Sequence, residues 1–216
     1  MLEKYRIVYS GGVNEIVEKK SRFIATTCPV TTEEEANLFI ESIRKKYWDA
    51  SHNCFSYVIG DKHQVQRYSD DGEPSGTAGR PILDVLLGED IHNVVVVVTR
   101  YFGGTLLGTG GLVRAYSKAA QAGLLNSEIV EKNLGMIYEI ETDYNGIGKL
   151  QYIVGQMELS TIDTQYSDIV KMQVIVPQKD CNLFEKKVTQ ASNGKARMDA
   201  QKEMYYCILN GKLLLV

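Results

Sequence analysis

Paired cysteines are missing from this sequence. Cys28, Cys54, Cys181 and Cys207 are far apart, with no CxxC pair and no metal-finger spacing. A disulfide framework and a zinc finger are therefore poor readings, and scattered thiols in a reducing compartment are the better one. No run of about 18 apolar residues occurs, which argues against a transmembrane helix. The opening MLEKYRIVYSGG lacks a long apolar segment behind a basic one, so no secretory signal is expected there. These absences together predict a cytoplasmic protein with no membrane partner. A basic excess is missing too. The net charge is −3, with 14 Lys+Arg against 16 Asp+Glu in residues 1–130 and 10 against 11 in residues 131–216. Neither half has the bulk charge of a non-specific nucleic-acid binder, which leaves only a local basic patch for that role.

At 216 residues, 44% hydrophobic and 24% charged, the chain suits one large globular domain or two modest ones. It is organised around residues 67–123. The unbroken run 94–98 is all valine and reads as a strand buried on both faces. Thr99, Arg100, Tyr101 and Phe102 follow, and then a loop, 103–111, that includes Gly103, Gly104, Gly108 and Gly110. Residues 112–124 have helical periodicity. Strand, glycine loop and helix present backbone N–H groups at a helix N-terminus, where an anion can settle. Upstream, Asp70-Asp71-Gly72-Glu73-Pro74-Ser75-Gly76 is a turn-forming loop with three carboxylates, followed by Thr77 and then by Arg80-Pro81 at the start of another short helix.

Before this stretch, residues 6–17 and 21–30 are strand-like, with Gly11-Gly12 interrupting the first run. Thr31 and Thr32 stand ahead of Glu34 and Glu35 as overlapping capping boxes. They would start a helix with Ala36, Phe39, Ile40, Ile43 and Tyr47 on one stripe, and Glu41 and Lys45 spaced to pair. Residues 54–59 and 64–69 read as strands joined by a turn at Gly60-Asp61. A boundary falls near 130–135, where 127–132 is polar and Asn133 and Gly135 break the pattern. Beyond it come a strand 136–142, a helix capped by Asp143, strands 159–166 and about 170–176, a helix capped by Asp180 and a closing strand 196–209. That order, βαββαβ, is the ferredoxin-like arrangement.

Known chemical motifs fit the centre poorly. A P-loop needs Lys and Ser/Thr after its second glycine, and Thr109-Gly110 stands there instead. A dinucleotide fingerprint fails where Val113 replaces the third glycine. No GxSxG elbow occurs. His52 and Cys54 would share one face of a strand, which suits core packing as well as chemistry. His63 and His92 sit in polar turn contexts and read as surface residues. Catalysis is thus unsupported. Asp70, Asp71 and Glu73 could hold Mg²⁺, but the pattern favours their fixing the loops with arginines among Arg67, Arg80, Arg100 and Arg114.

SDDGEPSGTAGRPIL, followed by VVVVVTRYFGGTLLGTGGLVRAYSKAA, closely resembles the signature of the IMPACT family. The most specific part is Arg100, Tyr101, Phe102, Gly103 and Gly104 with Leu107 and Gly108. His52, Cys54 and Tyr57 in SHNCFSY match its upstream motif. The resemblance covers residues 1–130, while residues 135–210 are similar to the second domain of bacterial members, itself like a ferredoxin-like domain of elongation factor G. It implies an α+β protein. Residues 1–132 would form an α/β domain with the left-handed βαβ type of fold found in a small-subunit ribosomal protein and in elongation factor G. Residues 133–216 would form a smaller ferredoxin-like domain. Those fold relatives touch RNA, and eukaryotic members regulate translation by competing for a coactivator of an initiation-factor kinase. Such members carry a different extra domain, so that partner is not carried over. A proline-dipeptidase label given to some bacterial members finds no two-metal ligand set here.

The expectation is a non-catalytic, translation-associated binding protein. Arg80, Arg100 and Arg114, with the amides of Gly103, Gly104, Gly108 and Gly110, would contact a phosphate backbone of RNA or ribosome, and Tyr101 would stack on a base. His52, Asp70, Asp71, Glu73 and Thr77 would form the supporting loop network. Two alternatives stand beside it: a phosphate- or Mg²⁺-ligand-binding protein or enzyme using the same loops, and a protein-interaction module.

Overall fold

The computed structural model describes residues 2–216 and divides the chain into two compact units, one up to Glu131 and one from Lys132 to Val216. In the first unit, strands β1 (Lys4–Ser10), β2 (Val13–Glu18) and β3 (Ser21–Pro29) lead to helix α1 (Glu33–Lys46). Strands β4 (His52–Ile59) and β5 (Val65–Ser69), helix α2 (Gly79–Gly88), the short β6 (Ile91–His92), β7 (Val94–Tyr101) and helix α3 (Thr109–Leu125) follow. Five strands form one antiparallel sheet in the order β2-β3-β7-β4-β5. Because β3 and β4 both run antiparallel to β7, they are parallel to each other. With α1 they make a βαβ crossover that holds β7 between its strands. Separately, β1 pairs in parallel with β6.

The valine run explains why helices cover both faces of the sheet. Successive side chains of a strand point to opposite sides. Val94, Val96 and Val98 pack with Ile82 and Leu86 of α2 and Tyr116 and Ala119 of α3. Val95 and Val97 pack with Ala36, Ile40 and Ile43 of α1. All five valines are fully buried. Burial on both faces usually marks a parallel strand; this strand is antiparallel to both neighbours and is buried because α1 lies against one face and α2 and α3 against the other.

Helix α1 starts as its capping residues dictate. The Glu35 amide donates to Thr32 Oγ1 (3.1 Å), and the Glu35 carboxylate accepts from the Thr31 amide (2.6 Å). On its wet face Arg44, rather than Lys45, pairs with Glu41, at 3.0 Å.

The second unit takes the end of β8 (Glu128–Thr142), then α4 (Ile147–Gln156), β9 (Ser160–Tyr166), β10 (Val170–Pro177), α5 (Cys181–Ser192), β11 (Arg197–Leu209) and β12 (Lys212–Leu215). Its antiparallel order β9-β10-β8-β11 is that of a ferredoxin-like sheet, with β12 added at the edge. Leu150, Ile153 and Val154 of α4 and Phe184 and Val188 of α5 cover one face. Several local expectations need correction. Residues 128–132, read as a polar boundary, already belong to β8. Gly135 does not break that strand; a Cβ there would lie 2.9 Å from both Ile175 and the Tyr206 ring, so glycine serves close packing. The extra hairpin was signalled by Asn210-Gly211, whose φ values of 50° and 75° suit a tight two-residue turn. Neither Asp143 nor Asp180 caps its helix with its side chain: α4 has Gly146 at its cap, and Asp143 closes the turn before it by accepting from the Gly146 amide at 2.7 Å. Among the described residues no helix is long and apolar enough to cross a membrane.

Candidate functional site

The acidic loop between β5 and α2 is held by its own carboxylates. Asp70 Oδ1 accepts from the Ala78 and Gly79 amides (3.0 and 2.8 Å), and Oδ2 accepts from the Gly76 amide at 2.8 Å. Helix α2 has Ala78 at its cap and so no cap side chain of its own. A carboxylate eight residues upstream supplies the missing acceptor. Asp71 accepts from the Asn53 amide at 2.6 Å and from Arg44 at 3.2 Å. Thr77 is buried, with its hydroxyl donating to the Pro74 carbonyl at 2.6 Å, which closes the turn.

Glu73 turns inward. Its Oε1 accepts from Arg100 Nη1 at 2.6 Å and from the Tyr116 hydroxyl at 2.7 Å. The side chains of this ion pair are only 7% and 3% exposed. Arg100 lies between the rings of Phe23 and Phe102, 5.4 and 5.6 Å from their centroids, and its buried Nε has no partner among the described residues. His52 donates through Nδ1 to the Asp71 carbonyl (2.8 Å), which leaves Nε2 3.9 Å from Glu73. The Cys54 thiol lies 3.0 Å from the Asp70 carbonyl and 3.3 Å from the Tyr116 hydroxyl. Burial pushes the Cys54 thiol up, well above its ordinary range, and keeps Tyr116 protonated. A protonated, enclosed thiol is a poor nucleophile. The cluster braces the two loops.

Two expectations about this cluster change. Arg100 faces the core and cannot reach a phosphate backbone, because pairing with Glu73 is what makes its burial tolerable. The Tyr101 hydroxyl donates to Asp49 at 2.8 Å, and Arg22 covers its ring at 5.4 Å, so the ring is already stacked. Arg80 is exposed but pairs with Asp84 one turn along α2, at 2.8 Å.

The glycine loop behaves differently. Gly103 donates to Ser21 Oγ at 3.1 Å, and a Cβ there would collide with the Lys20 backbone. The loop thus presses on the Lys19-Lys20 turn between β2 and β3. Gly108 caps α3 with φ at +74°, where side chains are strained, and offers no side-chain acceptor. Thr109 and Gly110 at the helix start are exposed. One turn on, Arg114 is exposed and makes no hydrogen bond or ion pair among the described residues. It lines a pocket of about 270 Å³ with Lys19, Lys118, Glu18, Leu107 and Gly111. Three cations and one carboxylate stand around the positive end of a helix dipole, which suits an anion.

The residue reading missed Lys19 and Lys118. Lys118 was detectable, because it stands four positions after Arg114 and so shares its helix face. Lys19 was not, since only folding brings its turn to the glycine loop. Cys54 and Tyr116 were missed as supports of Glu73. His63 and His92 are also misread as surface residues: His92 is 3% exposed and its ring stacks on that of His63, with centroids 3.8 Å apart. Among the described residues, one group of side chains brings three metal-ligating atoms together, His63, Asp90 and His92. The carboxylates of Asp70, Asp71 and Glu73 are instead engaged by N–H and O–H donors.

Comparison with known proteins agrees with this two-part organisation. Residues 19–124 match the Impact N-terminal domain, and residues 140–195 match a domain of unknown function, DUF1949. IMPACT family member YvyE of Bacillus subtilis is 43% identical over 196 residues, which are 91% of this chain and 90% of that protein. The chain belongs to the IMPACT family. IMPACT family member YigZ of Escherichia coli is 39% identical over 142 residues, 65% of this chain and 70% of that one. A crystal structure described as that of an hypothetical protein matches with a TM-score of 0.60 and 33% identity, covering 94% of this chain and 99% of the other. The IMPACT segment includes both loops, the buried Glu73–Arg100 pair and every cation of the α3 pocket.

Proposed function

We propose that this IMPACT family protein is a non-catalytic, translation-associated binding protein that takes a phosphate backbone, of RNA or ribosome, at the N-terminal end of α3. The observation that carries the reading is the grouping of Arg114, Lys118 and Lys19 beside a helix start with no cap side chain. Phosphate oxygens would accept from the first α3 amides while the three cations neutralise the backbone. Glu73, Arg100, Tyr116 and Asp70 act indirectly by fixing the loops that present these groups. The translation context comes from the resemblance of the N-terminal domain to RNA-contacting folds, and fold likeness is a weaker warrant than the surface. The net charge of −3 confines attraction to this patch, so binding should be modest and salt-sensitive.

The test is co-sedimentation of the full chain with ribosomes at rising salt. Association at low salt, released by Arg114→Ala with folding intact, is the expected result. Association that ignores both salt and Arg114→Ala would overturn the assignment to this surface. No association, together with a thermal shift by a small phosphate compound, would move the pocket to a metabolite.

A further inference from the structure

We propose that His63, Asp90 and His92 form a binding site for a divalent transition-metal ion of the zinc type, held by two imidazoles and one carboxylate. The three residues come from the turn after β4, the turn after α2 and strand β6. Folding brings together what the sequence keeps almost thirty positions apart.

The geometry of His92 carries the argument. Its Nδ1 is 3.1 Å from the Gly60 carbonyl and donates to it. In a neutral ring the lone pair then sits on Nε2, which is 3.2 Å from Asp90 Oδ1. Two acceptors at that distance need a positive charge between them, which either a proton on Nε2 or a metal ion supplies. His63 Nε2 is 4.0 Å from the same oxygen, and the three ligand atoms all lie within 4.8 Å of one another. Zinc bonds of roughly 2.0–2.2 Å set the ligand atoms of a tetrahedron about 3.4 Å apart. Distances of 3.2 and 4.0 Å to Asp90 bracket that value, and binding would turn the stacked His63 and His92 rings, now 22° from parallel, so that both nitrogens point at one ion.

The surroundings also suit a metal. A ligating histidine normally donates its other ring N–H to a carbonyl or carboxylate, as His92 does to Gly60. His63 now donates through Nε2 to the Ile91 carbonyl at 3.2 Å; on binding metal, that proton moves to Nδ1. Asp90 is 71% exposed and provides the entry side, where water takes the fourth position. Zinc here would clip the β4–β5 turn to β6, a role separate from the α3 surface.

Equilibrium dialysis and thermal unfolding of the full chain with ZnCl₂ test the site. The expected result is one zinc per chain and a raised unfolding midpoint. Asp90→Asn and His63→Asn are the informative variants, because both positions have φ near +50° and asparagine accepts that backbone. Loss of an outer-shell partner alone weakens metal about 10–100-fold, so each variant should lose at least roughly tenfold. A Cys28→Ser, Cys181→Ser variant should bind as the native chain does. Zinc retained unchanged by both Asn variants, zinc lost in the cysteine variant, or no zinc bound by the native chain would each overturn the proposal.

Discussion

The entrances to α2 and α3 pose the same physical problem and meet it in opposite ways. Each helix follows a loop rich in glycine, and neither has a side-chain acceptor at its cap position. At α2 the protein supplies its own anion: Asp70 accepts three amide bonds, Asp71 and Thr77 close the loop, and Glu73 is sealed beneath it. At α3 no side chain caps the helix, and Arg114, Lys118 and Lys19 gather there with a single carboxylate, Glu18. The first entrance is complete in itself, while the second is complementary to an anion from outside. Charged residues near a helix start therefore mean different things according to sign and burial. Carboxylates there make structure, and unpaired cations there make a surface.

The largest expected effect lies beneath the first entrance. Arg100→Met leaves Glu73 buried without its cation and should cost about 3–5 kcal/mol, read as a lowered urea midpoint. A loss below about 1 kcal/mol would mean that Glu73 is neutral in the fold. Next, Asp70→Ala strips the acceptor from three amides and should cost about 1–3 kcal/mol in the same assay. An unchanged midpoint would show that water replaces the carboxylate without penalty.

Thr109→Asp sharpens the contrast, because it gives α3 the internal anion that α2 already has. Stability should rise by about 0.3–1 kcal/mol while RNA binding falls. A gain in both would contradict the idea that the entrance is kept open for a ligand. The smallest stability effect belongs to Arg114→Ala with Lys118→Ala, within about 0.5 kcal/mol, since neither side chain is packed or paired.

Much of this fold is legible in the sequence. The unbroken valine run 94–98, the Thr32–Glu35 cap and the stripe of α1 are local signals, and local physics fixes them. The pairing of Glu73 with Arg100 is one of several arginine–carboxylate combinations open in the sequence. Only burial separates Arg100, which must be neutralised by Glu73, from Arg114, which stays in water. Sequence spacing carries no burial term for a single arginine, so the two look alike there. Lys19 is out of reach for a related reason, because its place beside α3 depends on the close approach of Gly103 to Lys20. The His63–His92 stack is hidden likewise, since polar neighbours in sequence suggest solvent where the fold supplies cover.

The central claim is that the α3 entrance binds a phosphate backbone. The most direct measurement is the salt dependence of affinity for a fluorescent single-stranded RNA oligomer, by anisotropy, for the native chain and for Arg114→Ala with Lys118→Ala. Removing one cation that neutralises a phosphate should flatten the slope of log affinity against log salt by about 0.7. The account predicts weaker binding and, with two cations removed, a slope reduced by about 1.4 in the double variant, the urea midpoint being unchanged. Equal slopes and equal affinities in a folded double variant would contradict it.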